Sequence, residues 1–476
     1  MLGKRRNVWK GTGDRESMKR ADCDLLIIGA GQAGPPLGIA LAKKGWRVVL
    51  VERKQLGGSC VNFGCTPTKA VIASARVAHL ARRGKQFGVR IESAVPDLAA
   101  VLDRARGIVH QSRIGLRESL ENQKKIRVVE GHARFEGRQG NAFRIRIGDQ
   151  LLISPRVVID TGTRSRMPPI PGLTDVDSLT AENWVDRPEL PDHLIVLGGG
   201  YTGLEMAQFY RRMGSAVTIV ERLPKIAERE DEDVAHALRA LLEAEEIAFR
   251  LESPVERVAE VGAGVRLTLK RGGGREILAG SHLFVATGRR PNTDDLGLET
   301  IGLRPEDDGT IRVTKRLATK VSGIWAAGDV RGGAMFTHTA WDDYRILLSQ
   351  LDGDRSRTTD RIVPYAIYTD PQLGRVGMTE AEARKTYRSV RVGRYEMREN
   401  GKAREIGETE GFVKVVAAAR SGRILGAAVL ASEGAELVHL FVDVMNARGR
   451  AADIRDAIHI HPTLAEAVQS AVAGLG

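Results

Sequence analysis

The sequence predicts an α/β protein made of two copies of one strand–turn–helix–strand unit, followed by a separate α+β region. Three observations predict it. A short apolar run enters a glycine-rich turn twice, at Asp24-Leu-Leu-Ile-Ile28 and at His193-Leu-Ile-Val-Leu197. In both places a second apolar run follows and ends on a glutamate. From about Val363 the pattern changes to hairpin-like strands and amphipathic stretches. Strands buried on both faces of a parallel sheet read as continuous apolar runs, whereas hairpins read as runs joined by glycine turns.

In the first unit the apolar run leads into Gly29-Ala-Gly31-Gln-Ala-Gly34, then a helix-like stretch Leu37 to Lys44, then Arg47-Val-Val-Leu-Val51 and Glu52. Gly29 permits a tight turn, Gly31 lets the backbone approach a pyrophosphate, and Gly34 allows close packing of helix on strand. The carboxylate of Glu52 is placed to accept ribose hydroxyls. Pro35 and Pro36 are tolerated because a first helical turn needs few N–H donors. The second unit repeats the order with Gly198-Gly-Gly200-Tyr-Thr-Gly203, then Ala216-Val-Thr-Ile-Val220 and Glu221. The acid follows the first glycine by 52 − 29 = 23 positions in one copy and 221 − 198 = 23 in the other. One such turn is weak evidence, but two with equal offsets identify Rossmann-like dinucleotide-binding units. Two sites in one chain imply two different nucleotides.

The 476 residues suit two to four domains. The net charge of 72 − 60 = +12 is spread along the chain. Its compact basic clusters, such as Lys4-Arg5-Arg6, lack interleaved aromatics, so nucleic acid is not an expected partner. No apolar run approaches the roughly 18 residues of a membrane span. Residues 1–20 are polar and basic without the apolar centre of a secretory signal, so a cytoplasmic location is expected. Three cysteines are too few for a disulfide-stapled scaffold, and Cys23 reads as a core residue.

The other two cysteines stand five apart in Gly57-Gly-Ser-Cys60-Val-Asn-Phe-Gly-Cys65-Thr-Pro-Thr-Lys69. On an ideal helix that spacing is about 7.5 Å of rise, too far for a bridge. A bridge demands a distorted first turn, which Gly64 and Pro67 permit. Thiols at a helix start gain thiolate character from the dipole. Metal ligation lacks further Cys or His clusters, and inert packing leaves the flanking glycines unexplained. Redox chemistry is therefore expected, and no metal site.

On these motifs the chain resembles the class I pyridine nucleotide-disulfide oxidoreductases, which include dihydrolipoamide dehydrogenase, glutathione reductase and mercuric reductase. The resemblance implies an FAD-dependent enzyme and covers nearly everything after residue 20. It implies that Cys60 is the interchange thiol, that Cys65 lies against the flavin, and that Lys69 sits near the reactive flavin nitrogen and pairs with Glu205. Tyr201 would cover the flavin until nicotinamide enters. Ile159-Asp-Thr161-Gly162 and Val285-Ala-Thr-Gly288 resemble the crossover segments, with Thr161 and Gly162 on the flavin side and Gly288 on the nicotinamide side. Asp329, in Ile324-Trp-Ala-Ala-Gly328-Asp329, would hold the ribityl chain, with a plain helix N-cap as its bland alternative. His461 and Glu466 match the general base and its orienting carboxylate, which reach the cysteines of the other subunit and so imply a homodimer. The expected division is a basic extension 1–20, an FAD-binding domain 21–165 and 285–355, an NAD(P)-binding domain 166–284, and a dimerisation domain 360–476. Glu221 favours NADH by repelling a 2′-phosphate, while Arg222 beside it leaves room for NADPH.

The acceptor is a small-molecule disulfide or a metal ion. Phe336-Thr-His338-Thr-Ala-Trp-Asp-Asp-Tyr-Arg345 looks like the mercuric reductase-like and reactive-chlorine-response branch, with His338 either facing the flavin edge or simply packed. No cysteine follows Cys65, which weighs against efficient mercury turnover. A dihydrolipoamide dehydrogenase is the alternative, and a flavin-bearing scaffold without turnover is the alternative of another class.

Overall fold

The computed structural model describes residues 21–475, so the basic extension expected at 1–20 lies outside the described residues. The first unit is a five-stranded parallel sheet in the order Ile324–Ala326, Val157–Ile159, Leu25–Ile28, Val48–Glu52, Ile126–Glu130. Every residue of Leu25–Ile28 is buried, as the apolar run required. Each such side chain contributes roughly 1.5–3 kcal/mol through burial. The helix begins at Gly34 rather than Leu37 and runs to Lys43, with Pro35 and Pro36 inside its first turn.

The second unit is a four-stranded parallel sheet in the order Ile247–Arg250, Ala216–Val220, His193–Leu197, His282–Val285. Its helix, Tyr201–Met213, follows the second glycine turn directly. Each sheet also receives an antiparallel three-stranded meander just before the strand that flanks its first strand. These are Ala133–Gln139, Ala142–Ile147 and Gln150–Ser154 in one unit, and Val255–Val261, Gly264–Arg271 and Gly274–Gly280 in the other. The duplication therefore extends past the glycine turns to the whole unit. A ribbon of Thr163–Ser165 with Arg289–Pro291 joins the crossovers.

The C-terminal region is a five-stranded antiparallel sheet, ordered Tyr365–Ile367, Gln372–Gly377, Ile424–Ala431, Phe412–Ala418, Val390–Glu396. Its central strands Phe412–Ala418 and Ile424–Ala431 are wholly buried. The amphipathic stretches after the hairpin include two helices, Gly434–Leu437 and His439–Asn446, and the last helix, Ala465–Ala473. One hydrophobic cluster ties the regions together: Val71 and Ala75 from the cysteine helix pack with Leu204 and Ala207 of the second unit and with Ile367 and Leu430 of the C-terminal sheet. That shared core holds the cysteines in a fixed place relative to both glycine turns.

Candidate active site

The two glycine turns are braced in the same way. Glu52 accepts from the N–H of Ala30 at 2.9 Å and of Lys54 at 2.8 Å. Glu221 accepts from Gly199 at 2.8 Å and Leu223 at 3.0 Å. Each carboxylate therefore holds its own turn, and the remaining lone pairs are what a ribose would meet. A Cβ at Gly34 would lie 2.6 Å from the Gly29 carbonyl, and one at Gly203 would lie 2.0 Å from that of Gly198, so both positions demand glycine. A cavity of ≈ 2350 Å³ runs between the turns and is bordered by Gly31, Gly200, Cys60, Cys65, Lys69 and Asp329. That exceeds the usual space for one small ligand by more than twofold.

The cysteine segment is not one distorted helix but two helices, Gly58–Asn62 and Cys65–Arg82. The break is built from the intervening residues. The N–H groups of Phe63 and Gly64 both donate to Ser59 O, at 3.1 and 2.7 Å. A side chain at Gly64 would come 2.9 Å from that same oxygen. Trp184 Nε1 donates to Phe63 O at 3.1 Å, and Asn62 Nδ2 donates to Leu56 O at 3.0 Å and Gly58 O at 2.7 Å. Pro67 sits in the first turn of the second helix, where its missing N–H costs little. Cys65 is thus the first residue of an 18-residue helix, facing the positive end of its dipole. Both thiols are free in this structure, and Cys65 opens onto the cavity.

The two sulfurs are made unequal by their neighbours. The hydrogen bond from Cys60, then Lys69 and Thr337, lower the Cys65 pKa to about 6, against the opposing effect of burial. The same hydrogen bond and burial push Cys60 up. Thr337 Oγ1 lies 3.2 Å from Cys65 Sγ. Lys69 Nζ donates to Glu205 Oε2 at 2.7 Å, as the resemblance implied. Burial opposes the charge on Lys69, but Glu205 and then Cys65 outweigh it and raise its pKa. Two further contacts complete the group: Lys69 lies 4.5 Å over the Tyr368 ring, and the Tyr368 N–H donates to Glu205 Oε1 at 2.8 Å. Sequence reasoning missed Thr337 and Tyr368. Thr337 stood within a segment already singled out; nothing local marks Tyr368.

The other expected residues are placed as follows. Asp329 is no helix cap: it sits inside the short turn Gly328–Arg331, whose capping residue is Ala327. Its carboxylate accepts from Thr163 Oγ1 at 3.1 Å, and burial raises its pKa. Thr161 Oγ1 donates to Asn292 O at 2.9 Å, while Gly162 takes φ +62° in the crossover. Gly288 borders the cavity, and its carbonyl accepts from Arg166 N at 3.0 Å. His338 does both: it stacks on Phe336 and its Nε2 donates to Pro364 O at 2.7 Å, while it also borders the cavity. Phe336 stacks in turn on Tyr365, and Tyr365 on Tyr201, which parks the Tyr201 ring at the end of a column. His461 Nδ1 lies 3.0 Å from Glu466 Oε1, and Thr463 N donates to Glu466 Oε2 at 2.8 Å. Thr463 first, and His461 second, lower the pKa of Glu466. This pair does not border the cavity among the described residues.

Two nucleotide turns facing one cavity, with a paired thiol between them, are matched by known proteins. Residues 23–343 fit the family model described as pyridine nucleotide-disulphide oxidoreductase, and residues 363–472 fit the model of that family's dimerisation domain. The chain belongs to this family. Similar proteins include the probable pyridine nucleotide-disulfide oxidoreductase RclA of Escherichia coli, 33% identical over 448 residues, covering 93% of this chain and 97% of the relative. A dihydrolipoyl dehydrogenase of Cupriavidus necator is 32% identical over 461 residues, covering 94% and 97%. The solved Cu(II) complex of the HOCl-induced flavoprotein disulfide reductase RclA from Escherichia coli matches with a TM-score of 0.87 at 32% identity, covering 95% of this chain and 99% of that one.

Family membership brings FAD and a nicotinamide nucleotide, and the residues present fit both. A Cβ at Gly200 would meet nothing within 4 Å, so the second turn offers bare backbone to a diphosphate. On the flavin side, Glu52 and the half-buried Asp329 border the cavity. No helix among the described residues is long and apolar enough to cross a membrane.

Proposed function

We propose that the protein is an NADH-favouring flavoprotein reductase that uses Cys60 and Cys65 to pass an electron pair to a metal ion or a small disulfide, in the manner of the mercuric reductase-like branch. The observation that carries this is the inequality of the thiols, with Cys65 acidified at a helix start beside Lys69 and Thr337. FAD, when bound, supplies the exchange between hydride and thiol chemistry. Gly29, Gly31, Gly34, Glu52, Thr161, Gly162 and Asp329 would hold it; Gly198, Gly200, Gly203, Glu221 and Gly288 would hold the nicotinamide nucleotide. Glu221 places a carboxylate where a 2′-phosphate would sit, which favours NADH. Tyr201 leaves its column to shield the flavin site when the coenzyme is away.

Within the chain, Cys65 remains a thiolate at neutral pH and Lys69 balances its charge. Cys60 keeps its proton until an acceptor arrives. The Cys65 thiolate and the Cys60 thiol give up two electrons and one proton to become a disulfide, and the reverse step restores them. The partner subunit's His461, oriented by its own Glu466, takes and returns the Cys60 proton. A homodimer supports this reading: Ile458 and Ile460, flanking His459, are 100% and 80% exposed in the single chain, within the matched dimerisation domain.

The Cu(II) complex of RclA favours a metal-ion acceptor. The retained His461–Glu466 pair and the dihydrolipoyl dehydrogenase relatives favour a dithiol as the second reading. A panel of Cu(II), Hg(II), lipoamide, oxidised glutathione and quinone, run with NADH and NADPH on wild type and Cys60→Ser, separates them. The proposal expects NADH-driven Cu(II) or disulfide reduction that Cys60→Ser abolishes. Lipoamide-linked NADH formation as the fastest activity would establish the second reading. Absence of NADH-dependent flavin bleaching would leave only a scaffold.

A further inference from the structure

The two nucleotide units end alike but differ at one residue. After the strand that flanks the first strand, the chain runs Asp160-Thr161-Gly162 in one unit and Ala286-Thr287-Gly288 in the other. The backbones match: Asp160 N donates to Ile28 O at 2.8 Å, and Ala286 N donates to Leu197 O at 2.8 Å. An alanine therefore suffices to build this turn, and the Asp160 carboxyl is there for another purpose.

Its surroundings indicate which. The residue is 5% exposed, and its Oδ2 accepts from Gly34 N at 2.8 Å. A Cβ at Gly31 would lie 3.0 Å from Oδ2 and 3.3 Å from Oδ1, and a Cβ at Gly328 would lie 3.0 Å from Oδ1. The carboxyl therefore stands where the first glycine turn and the Gly328-Asp329 turn meet, on the wall of the cavity. No ammonium or guanidinium pairs with it among the described residues. The charged groups that bear on it are carboxylates: Asp329, Asp343 and Glu52. Of these, Asp343 is matched by Arg331 and Arg361, each at 2.7 Å. Glu52 is matched by backbone N–H groups, and Asp329 by Thr163 with Arg289 nearby. Burial holds the Asp160 carboxyl well above the usual range; the Gly34 hydrogen bond opposes this, and the three carboxylates add to it. An ionised Asp160 would add an unmatched negative charge beside an anionic diphosphate.

We propose that Asp160 is a positioning residue for the flavin nucleotide that acts as a neutral carboxylic acid, accepting from Gly34 through one oxygen and donating its O–H to the diphosphate through the other. The balance is simple: no bond other than O–H is made or broken, and an Asp160 that starts ionised takes one proton from solvent as FAD binds. Stability of the complex is then full while the acid is protonated and falls as pH rises through its folded pKa.

The test follows flavin release from holoenzyme by the rise of free-flavin fluorescence, from about pH 6 to about pH 9. Wild type should release flavin about tenfold faster at the alkaline end, the ratio expected for one pKa unit of linkage. Asp160→Asn keeps an acceptor for Gly34 and a donor for phosphate, so it should hold flavin as wild type does near pH 6, with a flat profile. Asp160→Ala should release flavin about tenfold faster throughout. Superimposable profiles for wild type and Asp160→Asn, or Asn releasing as fast as Ala, would overturn the proposal. Should the alanine variant not fold, the wild type and Asn pair still decides it.

Discussion

The two nucleotide units of this chain are an internal control for each other. Both place a glycine turn between a buried strand and a helix, both brace it with a glutamate 23 positions on, and both carry a three-stranded meander. Besides a fifth strand in the first sheet, they part in two places that bear on the chemistry. The first unit alone continues from its second strand into the cysteine helices, and it alone has a carboxyl, Asp160, behind the turn where the second has Ala286. The shared parts bind nucleotide by backbone geometry, which any dinucleotide satisfies. On the readings proposed above, the unshared parts decide which nucleotide becomes resident and where its electrons go.

The comparison breaks most severely at the cysteines. Cys65→Ser should cost about a thousandfold in acceptor turnover while leaving NADH binding to the second unit intact, checked by steady-state kinetics and coenzyme titration. Equal turnover without the sulfur would reduce the first unit to a mere copy of the second. Lys69→Ala comes next. It strands Glu205, whose side chain is 7% exposed, with the Tyr368 N–H as its described donor. Loss of one partner from a buried pair costs about 3–5 kcal/mol. Since the Lys69 side chain is 32% exposed, the low end of that range is expected, seen as a lowered Tm.

Swapping the unshared residue sharpens the contrast. Ala286→Asp should put a carboxyl behind the second turn and weaken NADH binding about tenfold at alkaline pH, with little loss at acidic pH, measured by fluorescence titration. A pH-independent affinity would show that the position does not sense diphosphate. The smallest effect belongs to Thr337→Val. Removing its hydroxyl should raise the thiolate titration of Cys65 by up to about one unit, for about 1 kcal/mol, read from thiolate absorbance. The sign follows from the depressed pKa: in the reduced enzyme this site stabilises the fold above the ordinary thiol range, and the contribution is lost as pH falls through about 6.

Legibility in the sequence followed the range of the interaction. The glycine turns and the glutamates behind them lie within a few dozen residues of their partners and were readable from spacing, whereas the His461–Glu466 pair was expected from the family resemblance. The cysteine segment was half readable. Its reactivity followed from flanking glycines and a helix start, but its geometry was expected as one distorted helix. The break is built locally around Ser59 O and is held in addition by Trp184, which reaches Phe63 across 121 positions. His338, read as either facing the flavin edge or packing, stacks on Phe336 and bonds to Pro364 and also borders the cavity. Asp160 was visible beside Ala286 as a difference between copies, yet its meaning required knowing that Gly31 and Gly328 converge on it.

By itself the sequence determined what repeats locally: which runs are buried strands, where the backbone must turn without a side chain, and which two sulfurs can exchange electrons. These are properties of short spacing and residue type. The tertiary structure alone decided which charge faces which. Cys65 meets Thr337 across 272 positions, which no local pattern encodes, and Lys69 meets Glu205 across 136, a pairing that the family resemblance implied and residue spacing did not. The reason is physical: a thiol or carboxyl owes its protonation state to neighbours within a few ångströms, and folding chooses those neighbours from anywhere along the chain.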